Sequence, residues 1–163
     1  LNSQSHLKII ANTAKFSGYQ GMVGGQVLDL EAENRDLTLA EMKEVHRAKT
    51  GALIKAAVLN GVYCSKASSE QKKALLTYAE NIGVLFQIVD DLLDLTGETE
   101  MMGKVVGRDE ELNKSTYPKL MGVEAAKEAA AEHALKAKKA LSIFGDQAQD
   151  LKDLVDYILK RQH

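Results

Sequence analysis

Apolar residues recur every three to four positions along most of the chain, which is the spacing of an amphipathic helix. The pattern predicts a first helix through "SHLKIIANTAKF" that continues into the glycine-rich "SGYQGMVGGQVLDLEAEN". A second helix is predicted over residues 38–62, where Thr38 and Glu41 have the spacing of a capping box. A third is predicted to begin near Ser68 or Ser69 and to stop at Gly97.

The second part of the chain predicts one long loop followed by two more helices. Residues 97–116 combine glycines with dense charge, which is typical of a loop. After Pro118 the pattern is helical again through "VEAAKEAAAEHALKAKKALSIF", breaks at Gly145, and ends in the amphipathic "QDLKDLVDYILKRQH". No alternating strand pattern occurs, and the chain has one proline and no tryptophan. The prediction is an all-α helical bundle, with residues 1–163 forming one portion of a single domain.

Composition and charge exclude several classes of partner. The net charge of −2 provides no basic surface for nucleic acid, and no charge-free apolar run of about 18 residues predicts a membrane span. A single cysteine, Cys64, cannot form an internal disulfide and is expected to pack as a small apolar group. The N-terminus does not have the succession of basic, apolar and small residues that is typical of a signal peptide. A cytoplasmic protein, without stable membrane insertion, fits these features.

The segment "FQIVDDLLDLTG" places three carboxylates within an apolar run. On a helical wheel that starts at Asp90, Gly83 lies at about 20°, Asp94 at about 40°, Gln87 at about 60° and Asp91 at about 100°. All the polar groups therefore share one arc, and most of the helix is expected to be buried. The opposite arc is apolar: Leu85, Phe86, Ile88, Val89, Leu92, Leu93 and Leu95.

This acidic arc has two interpretations, a solvated surface or a cation site. A solvated face usually mixes both signs of charge, whereas this arc holds only acids and a glutamine, whose like charges repel each other. Oxygen ligands one turn apart suit Mg²⁺ or Mn²⁺, and Mg²⁺ is commonly held by one or two carboxylates together with substrate phosphates. Basic partners for a diphosphate are available: Lys49, which shares an arc of about 100° with His46 and Thr50, and Lys104 and Lys114.

Five motifs in order carry a family resemblance. "GGQVLDL", "KTGAL", "GVLFQIVDDLLD", "GK" and "NKSTYP" together resemble the C-terminal half of the trans-isoprenyl diphosphate synthases, with the bacterial farnesyl diphosphate synthases as the most similar branch. The match extends over nearly the whole chain. It implies the C-terminal half of the all-α isoprenoid synthase fold.

The resemblance implies a metal site and a diphosphate site. Asp90, Asp91 and Asp94 match the second aspartate-rich motif of the family, in which Asp90 and Asp94 are the expected Mg²⁺ ligands and Asp91 supports them. Lys49 and Lys104 match the lysines that hold the allylic diphosphate.

Five further positions are implied to contact the substrate. Lys114 matches a basic residue on the loop over the site, and Thr50 and Gln87 match the polar pair beside the allylic carbons, where positive charge develops. Gln26 and Asp29 match residues that line the cavity wall.

The implied reaction is Mg²⁺-dependent condensation of an allylic diphosphate with isopentenyl diphosphate to give farnesyl diphosphate, in a homodimer. The first aspartate-rich motif of the family and its arginine pair have no counterpart after Leu1, which is not a methionine. The chain is therefore expected to come from a truncated or cleaved protein and to be inactive alone. Two alternatives are a terpene cyclase relative, whose second metal motif usually mixes residue types, and a non-catalytic helical interaction protein.

The remaining candidates are interpreted structurally. Gly18, Gly21 and Gly25 are predicted to share one helical face and to permit close helix packing. His46 and His133 are expected to be surface or partly hydrogen-bonded residues.

Overall fold

The computed structural model describes residues 2–96 and 114–161, and the regular structure of these residues is entirely helical, as predicted. Residues 97–113, including Lys104 and most of the predicted loop, lie outside the described part. The helices are α1 (Ser3–Ser17), α2 (Met22–Glu31), α3 (Leu39–His46), a π-helical turn (Arg47–Gly51), α4 (Ala52–Cys64), α5 (Ser69–Thr96), α6 (Tyr117–Met121), α7 (Val123–Ala140), a 3₁₀ segment (Leu141–Ala148) and α8 (Gln149–Lys160).

The start of α3 confirms the predicted capping box. The Thr38 N–H donates to Glu41 Oε2 at 2.8 Å, and the Glu41 N–H donates to Thr38 Oγ1 at 3.3 Å. The helix predicted over residues 38–62 is interrupted by the π-helical turn, so that it consists of α3, the turn and α4. The wheel could not predict this turn, since it assumes a constant 3.6 residues per turn.

Glycine allows α2 to approach the π-helical turn closely. A Cβ on Gly25 would lie 2.2 Å from the Lys49 backbone nitrogen, so the predicted close packing is confirmed at this position. Gly18 and Gly21 instead lie in the connection between α1 and α2, where they cap the two helix ends. Their predicted place on one helical face with Gly25 is wrong, because α1 ends at Ser17.

The long helix α5 lies at the centre of the fold against α7. Its fully buried residues include Leu85 and Ile88. They belong to the same core as a stripe of alanines on α7, small side chains that let the two helices lie close together: Ala126, Ala130, Ala134 and Ala137. Leu95 is 51% exposed, so its predicted burial is wrong. On the wheel it lies only about 40° from Asp91, at the edge of the polar arc.

The C-terminal part of the chain returns to the core. Gly145 has φ of 57° and breaks the helical path where predicted. In α8, Val155 and Ile158 are buried, whereas Leu154 remains exposed. Cys64 is exposed because it is the last residue of α4, so its predicted packing is wrong. Within the described ranges no helix is long and apolar enough to cross a membrane.

Candidate functional site

A polar cavity of about 180 Å³ lies where α2, the π-helical turn, α5 and residues 114–116 meet. Its walls hold residues that are distant in the sequence but were singled out together from their motifs. Seven of the ten predicted site residues line it: Asp29, Lys49, Thr50, Gln87, Asp90, Asp91 and Lys114.

Two lysines converge on one carboxylate oxygen. Asp29 Oδ2 on α2 lies 2.6 Å from Lys49 Nζ and 3.0 Å from Lys114 Nζ. Burial raises the pKa of the Asp29 carboxyl, but hydrogen bonds and charge from the two lysines outweigh burial and hold that pKa below its usual value of 3.8. Two positive charges share one negative charge, so this part of the cavity can accept an additional anion.

Hydrogen bonds from the segment that follows the undescribed residues place Lys114 in the cavity. The buried Ser115 Oγ accepts the Leu37 N–H at 3.0 Å, which ties the segment to the start of the α3 region. Two residues later, the Tyr117 N–H donates to Asp91 Oδ2 at 2.9 Å. Lys114 is therefore held between α3 and α5.

The Gln87 amide is held in one orientation. Asp91 lies one turn further along α5, and its Oδ1 accepts a hydrogen bond from Gln87 Nε2 at 2.8 Å. An ionised carboxylate only accepts hydrogen bonds, so the amide nitrogen must face Asp91 and the amide oxygen must face away from it. That oxygen accepts the Thr50 hydroxyl at 3.3 Å. The polar pair predicted to lie beside the reacting carbons is thus in contact across the cavity.

Asp90 contacts a cation from the C-terminal end of the described chain. Arg161 Nη2 lies 3.3 Å from Asp90 Oδ1 and donates to the Phe86 carbonyl at 3.4 Å. The Arg161 guanidinium also lies 4.4 Å from the centre of the Phe86 ring, in a cation–π arrangement. The Arg161 side chain is only 13% exposed, so this contact is well shielded from solvent.

The three aspartates do not converge on one point. Asp91 and Asp94 are buried, and within the described residues no group of three or more acidic, histidine or cysteine side chains is arranged to hold a metal ion. Asp94 is not among the residues that line the cavity, and Gln26 lies one turn before Asp29 on α2, also outside the lining. The metal-binding roles therefore stay predictions, as does any role of the undescribed Lys104.

Three residues of the site region were not identified from the sequence: His46, Tyr117 and Arg161. His46 shared the arc of Lys49 and Thr50, and this was the available signal, but the residue was interpreted as a surface or partly hydrogen-bonded group. Its ring is largely buried, and Nδ1 has no hydrogen-bond partner. Burial of the ring lowers the His46 pKa to about 4. His133 fits its prediction, since Nδ1 lies 2.9 Å from Asn81 Oδ1.

A larger cavity of about 520 Å³ lies beside the polar one. It is bordered by Lys55 of α4, Gly83 of α5 and His133 of α7, and none of the predicted site residues lines it. His46 alone, among the described residues, lines both cavities. The predicted charged and polar groups therefore converge in the smaller cavity and not in the larger one.

Comparison with solved structures defines the class of protein. The geranyltransferase of Helicobacter pylori, solved in complex with magnesium and isoprenyl diphosphate, matches with a TM-score of 0.81 and 28% identity, over 98% of this chain and 52% of that one. The fold is thus the all-α fold of the isoprenyl synthases.

Sequence comparison then identifies the family. Residues 2–158 match the polyprenyl synthetase family model, and the chain belongs to this family. It is 39% identical to the farnesyl diphosphate synthase of Bacillus subtilis over its full length, and 39% identical over 96% of its length to the geranylgeranyl diphosphate synthase of Cyanophora paradoxa. The chain spans 55% and 53% of the lengths of these two relatives.

Proposed function

We propose that this chain forms the C-terminal part of a trans-prenyltransferase that condenses an allylic diphosphate with isopentenyl diphosphate. One observation carries the proposal: Lys49 and Lys114 meet at Asp29 beside the contact between Thr50 and Gln87. Phosphate-binding cations and a polar pair for a developing carbocation are two of the groups that this chemistry requires. The resemblance to both farnesyl and geranylgeranyl diphosphate synthases supports the reaction class, and we propose farnesyl diphosphate as the product.

The proposal includes Mg²⁺, with Mn²⁺ as a substitute, held by Asp90, which lines the cavity, and by Asp94, which is buried outside its lining and would have to turn toward it. These residues are one turn apart on α5, and carboxylate oxygen suits a hard cation that keeps several waters and binds substrate phosphates. Asp91 has a supporting role, because its two oxygens accept hydrogen bonds from Gln87 and Tyr117. When bound, the metal would neutralise charge on the leaving diphosphate.

Side chains of this chain bind the diphosphate and stabilise the allylic cation. Lys49 and Lys114 hold the diphosphate while the allylic carbon–oxygen bond breaks and its electron pair leaves with the diphosphate. The Gln87 carbonyl dipole and the Thr50 hydroxyl oxygen stabilise the allylic cation. The double bond of isopentenyl diphosphate forms the new carbon–carbon bond, and a proton then leaves to the released diphosphate.

The complete reaction is proposed for the whole protein. Because the first aspartate-rich motif of the family is not found in these residues, we expect this chain alone to bind diphosphate without forming product. The homodimer and the cytoplasmic location remain predictions from the resemblance.

The test is calorimetric titration of the 163-residue protein with inorganic pyrophosphate, with and without Mg²⁺. We expect binding that Mg²⁺ strengthens. Lys114→Gln should weaken binding about tenfold, because it removes a charged hydrogen-bond donor. The matched control is Lys136→Gln, which removes the same charge from an exposed ion pair with Glu132 on α7 and should leave binding unchanged. Equal weakening by both variants, or no binding to the unmodified protein, would contradict the proposal.

A further inference from the structure

His46 ends α3 immediately before the π-helical turn, and its ring forms part of the wall of the polar cavity. The ring packs against Tyr117, with the two ring centres 5.7 Å apart and the planes tilted by 35°. Charged groups act on the ring from several surrounding segments: Asp29 of α2, Lys49 of the π-helical turn, Asp90 of α5, and Lys114. His46 is thus placed among the groups assigned to the diphosphate.

The buried nitrogen of the ring needs an explanation. Nδ1 is one of only two buried side-chain nitrogen or oxygen atoms in the described residues that lack a hydrogen-bond partner. Leaving such an atom unpaired is unfavourable, and a phenylalanine could pack on Tyr117 without this cost. A histidine at this position is therefore best explained by a role for its other nitrogen, Nε2.

The environment also selects the tautomer. A neutral imidazole carries its hydrogen on only one nitrogen. A hydrogen on Nδ1 would bury an N–H group without an acceptor, and orphaned buried N–H groups are rarer than unpaired acceptors. The hydrogen is therefore assigned to Nε2. Because Nδ1 is enclosed by protein, Nε2–H is the edge of the ring left to meet a ligand in the cavities that His46 lines, and of these two the polar cavity contains Lys49 and Lys114. A neutral donor adds no positive charge beside Lys49 and Lys114, and the lowered pKa of about 4 keeps the ring neutral near pH 7.

We propose that His46 is a further substrate-binding residue, whose Nε2–H donates a hydrogen bond to the diphosphate held by Lys49 and Lys114. This inference rests on the proposed function, since it assumes that the anion in the cavity is a diphosphate. It assigns a neutral hydrogen-bond donor to a site that otherwise binds the anion through charge.

The first test uses the unmodified protein labelled with ¹⁵N. Long-range ¹H–¹⁵N spectra of the imidazole should show the Nε2–H tautomer of His46 at neutral pH, and inorganic pyrophosphate with Mg²⁺ should shift its Nε2 signal. A hydrogen found on Nδ1, or an Nε2 signal that does not respond to bound pyrophosphate, would overturn the proposal.

The second test compares three substitutions by calorimetry with pyrophosphate. His46→Phe keeps the ring but removes the donor, so binding should weaken about tenfold or more. His46→Gln, which can place an amide N–H near the position of Nε2, should recover much of the affinity. His6→Phe, at an exposed position of α1, is the matched control and should bind as the unmodified protein does.

The outcomes separate the two proposals. If the unmodified protein binds pyrophosphate and His46→Phe binds equally well, the role of His46 is wrong and the proposed function stands. If the unmodified protein binds no pyrophosphate, the proposed function is contradicted and the role of His46 falls with it.

Discussion

At the scale of single residues, the orientation of the Gln87 amide in the cavity is set by Asp91, a carboxylate that can only accept hydrogen bonds. Asp91 fixes the Gln87 amide, and the Tyr117 N–H fixes Asp91. These two contacts lie inside the protein, so the Asp91 carboxylate sets the direction of the Gln87 amide dipole. Asp91 is therefore a positioning residue for Gln87.

Asp91→Asn should reverse the Gln87 amide. The new amide would use its oxygen for the Tyr117 N–H and present its own NH₂ to Gln87, which must then turn its oxygen toward residue 91. Gln87 would thus present NH₂ to Thr50 instead of a carbonyl. We expect the free energy of unfolding to fall by about 1–3 kcal/mol, because a buried charged acceptor is lost. Side-chain amide NMR and urea unfolding measure the two effects.

The chain contains a matched control for this substitution. Gln149 Nε2 donates to Asp153 Oδ1 at 2.7 Å, with the same four-residue spacing on α8, but this pair is exposed. Asp153→Asn should change the free energy of unfolding by less than about 0.5 kcal/mol. Similar decreases in the free energy of unfolding of the two variants would mean that the burial of Asp91 does not account for its contribution to stability.

At this scale, sequence motifs could indicate which residues lie together, while their roles stay predictions. Asp29, Lys49 and Lys114 were named from short sequence motifs, and the structure brings them within hydrogen-bond distance. The environment of His46 could not be predicted in the same way, since its ring packs against Tyr117, which lies 71 positions further along the chain. The burial of a polar residue is a tertiary property that helical periodicity does not contain.

At the scale of elements, the site depends on how closely α2 approaches the π-helical turn. Asp29 is on α2 and Lys49 is in the turn, so their ion pair requires the two backbones to remain close. Gly25 permits this approach because it has no side chain. A π-helical turn is a frequent feature of functional sites, and here it contains both Lys49 and Thr50.

Gly25→Ala should force α2 away from the π-helical turn. The added Cβ would lie 2.2 Å from the Lys49 nitrogen, and backbone atoms cannot move aside as a flexible side chain can. We expect the free energy of unfolding to fall by about 1–3 kcal/mol or more, with weaker pyrophosphate binding. Urea unfolding and calorimetry measure these effects.

Gly61→Ala is the control for a glycine in a helix. Gly61 lies within α4, and a Cβ there would meet nothing within 4 Å. This variant should be more stable by about 0.5–1 kcal/mol, because alanine favours helix over glycine. If both variants were more stable than the unmodified protein, the fold would not require the close approach of α2 to the π-helical turn at Gly25.

The helices themselves were largely predictable. Their extents follow from apolar periodicity, the capping box at Thr38 and the break at Gly145, all of which are local signals. The π-helical turn was not predictable, because a helical wheel assumes a constant 3.6 residues per turn.

At the scale of the whole molecule, α1 and α2 carry apolar side chains that the described residues leave uncovered. Leu7 is 66% exposed and Ile10 is 65% exposed, one turn apart on α1. On α2, Val23, Val27 and Leu30 are about half exposed. Large exposed apolar surfaces commonly mark interaction sites. These faces are where further protein is expected to bind.

The isolated chain should associate with itself at high concentration through these faces. Sedimentation velocity should show a mass above 17.8 kDa that grows with protein concentration. The double substitution Leu7→Gln with Ile10→Gln should reduce this association, because it removes apolar surface without adding charge. Leu135→Gln, at a 69% exposed leucine on α7, is the control and should have little effect. A single species of monomer mass at every concentration would contradict the prediction.

The π-helical turn also changes the direction in which the side chains of α4 point relative to those of α3. A π-helical turn closes its hydrogen bonds over one more residue than an α-helical turn, so α4 is rotated by about 100° relative to a continuation of α3. The apolar repeat of every three to four residues is therefore offset across the turn. The buried residues on either side do not fall on one continuous helical stripe: Met42 and Val45 lie before the turn, and Leu59 and Val62 after it. A relative that lacked one residue within this segment would have every side chain of one helix facing a new direction. The length of this segment, and not only its composition, is thus a property that must be preserved for Lys49 and Thr50 to remain in the cavity.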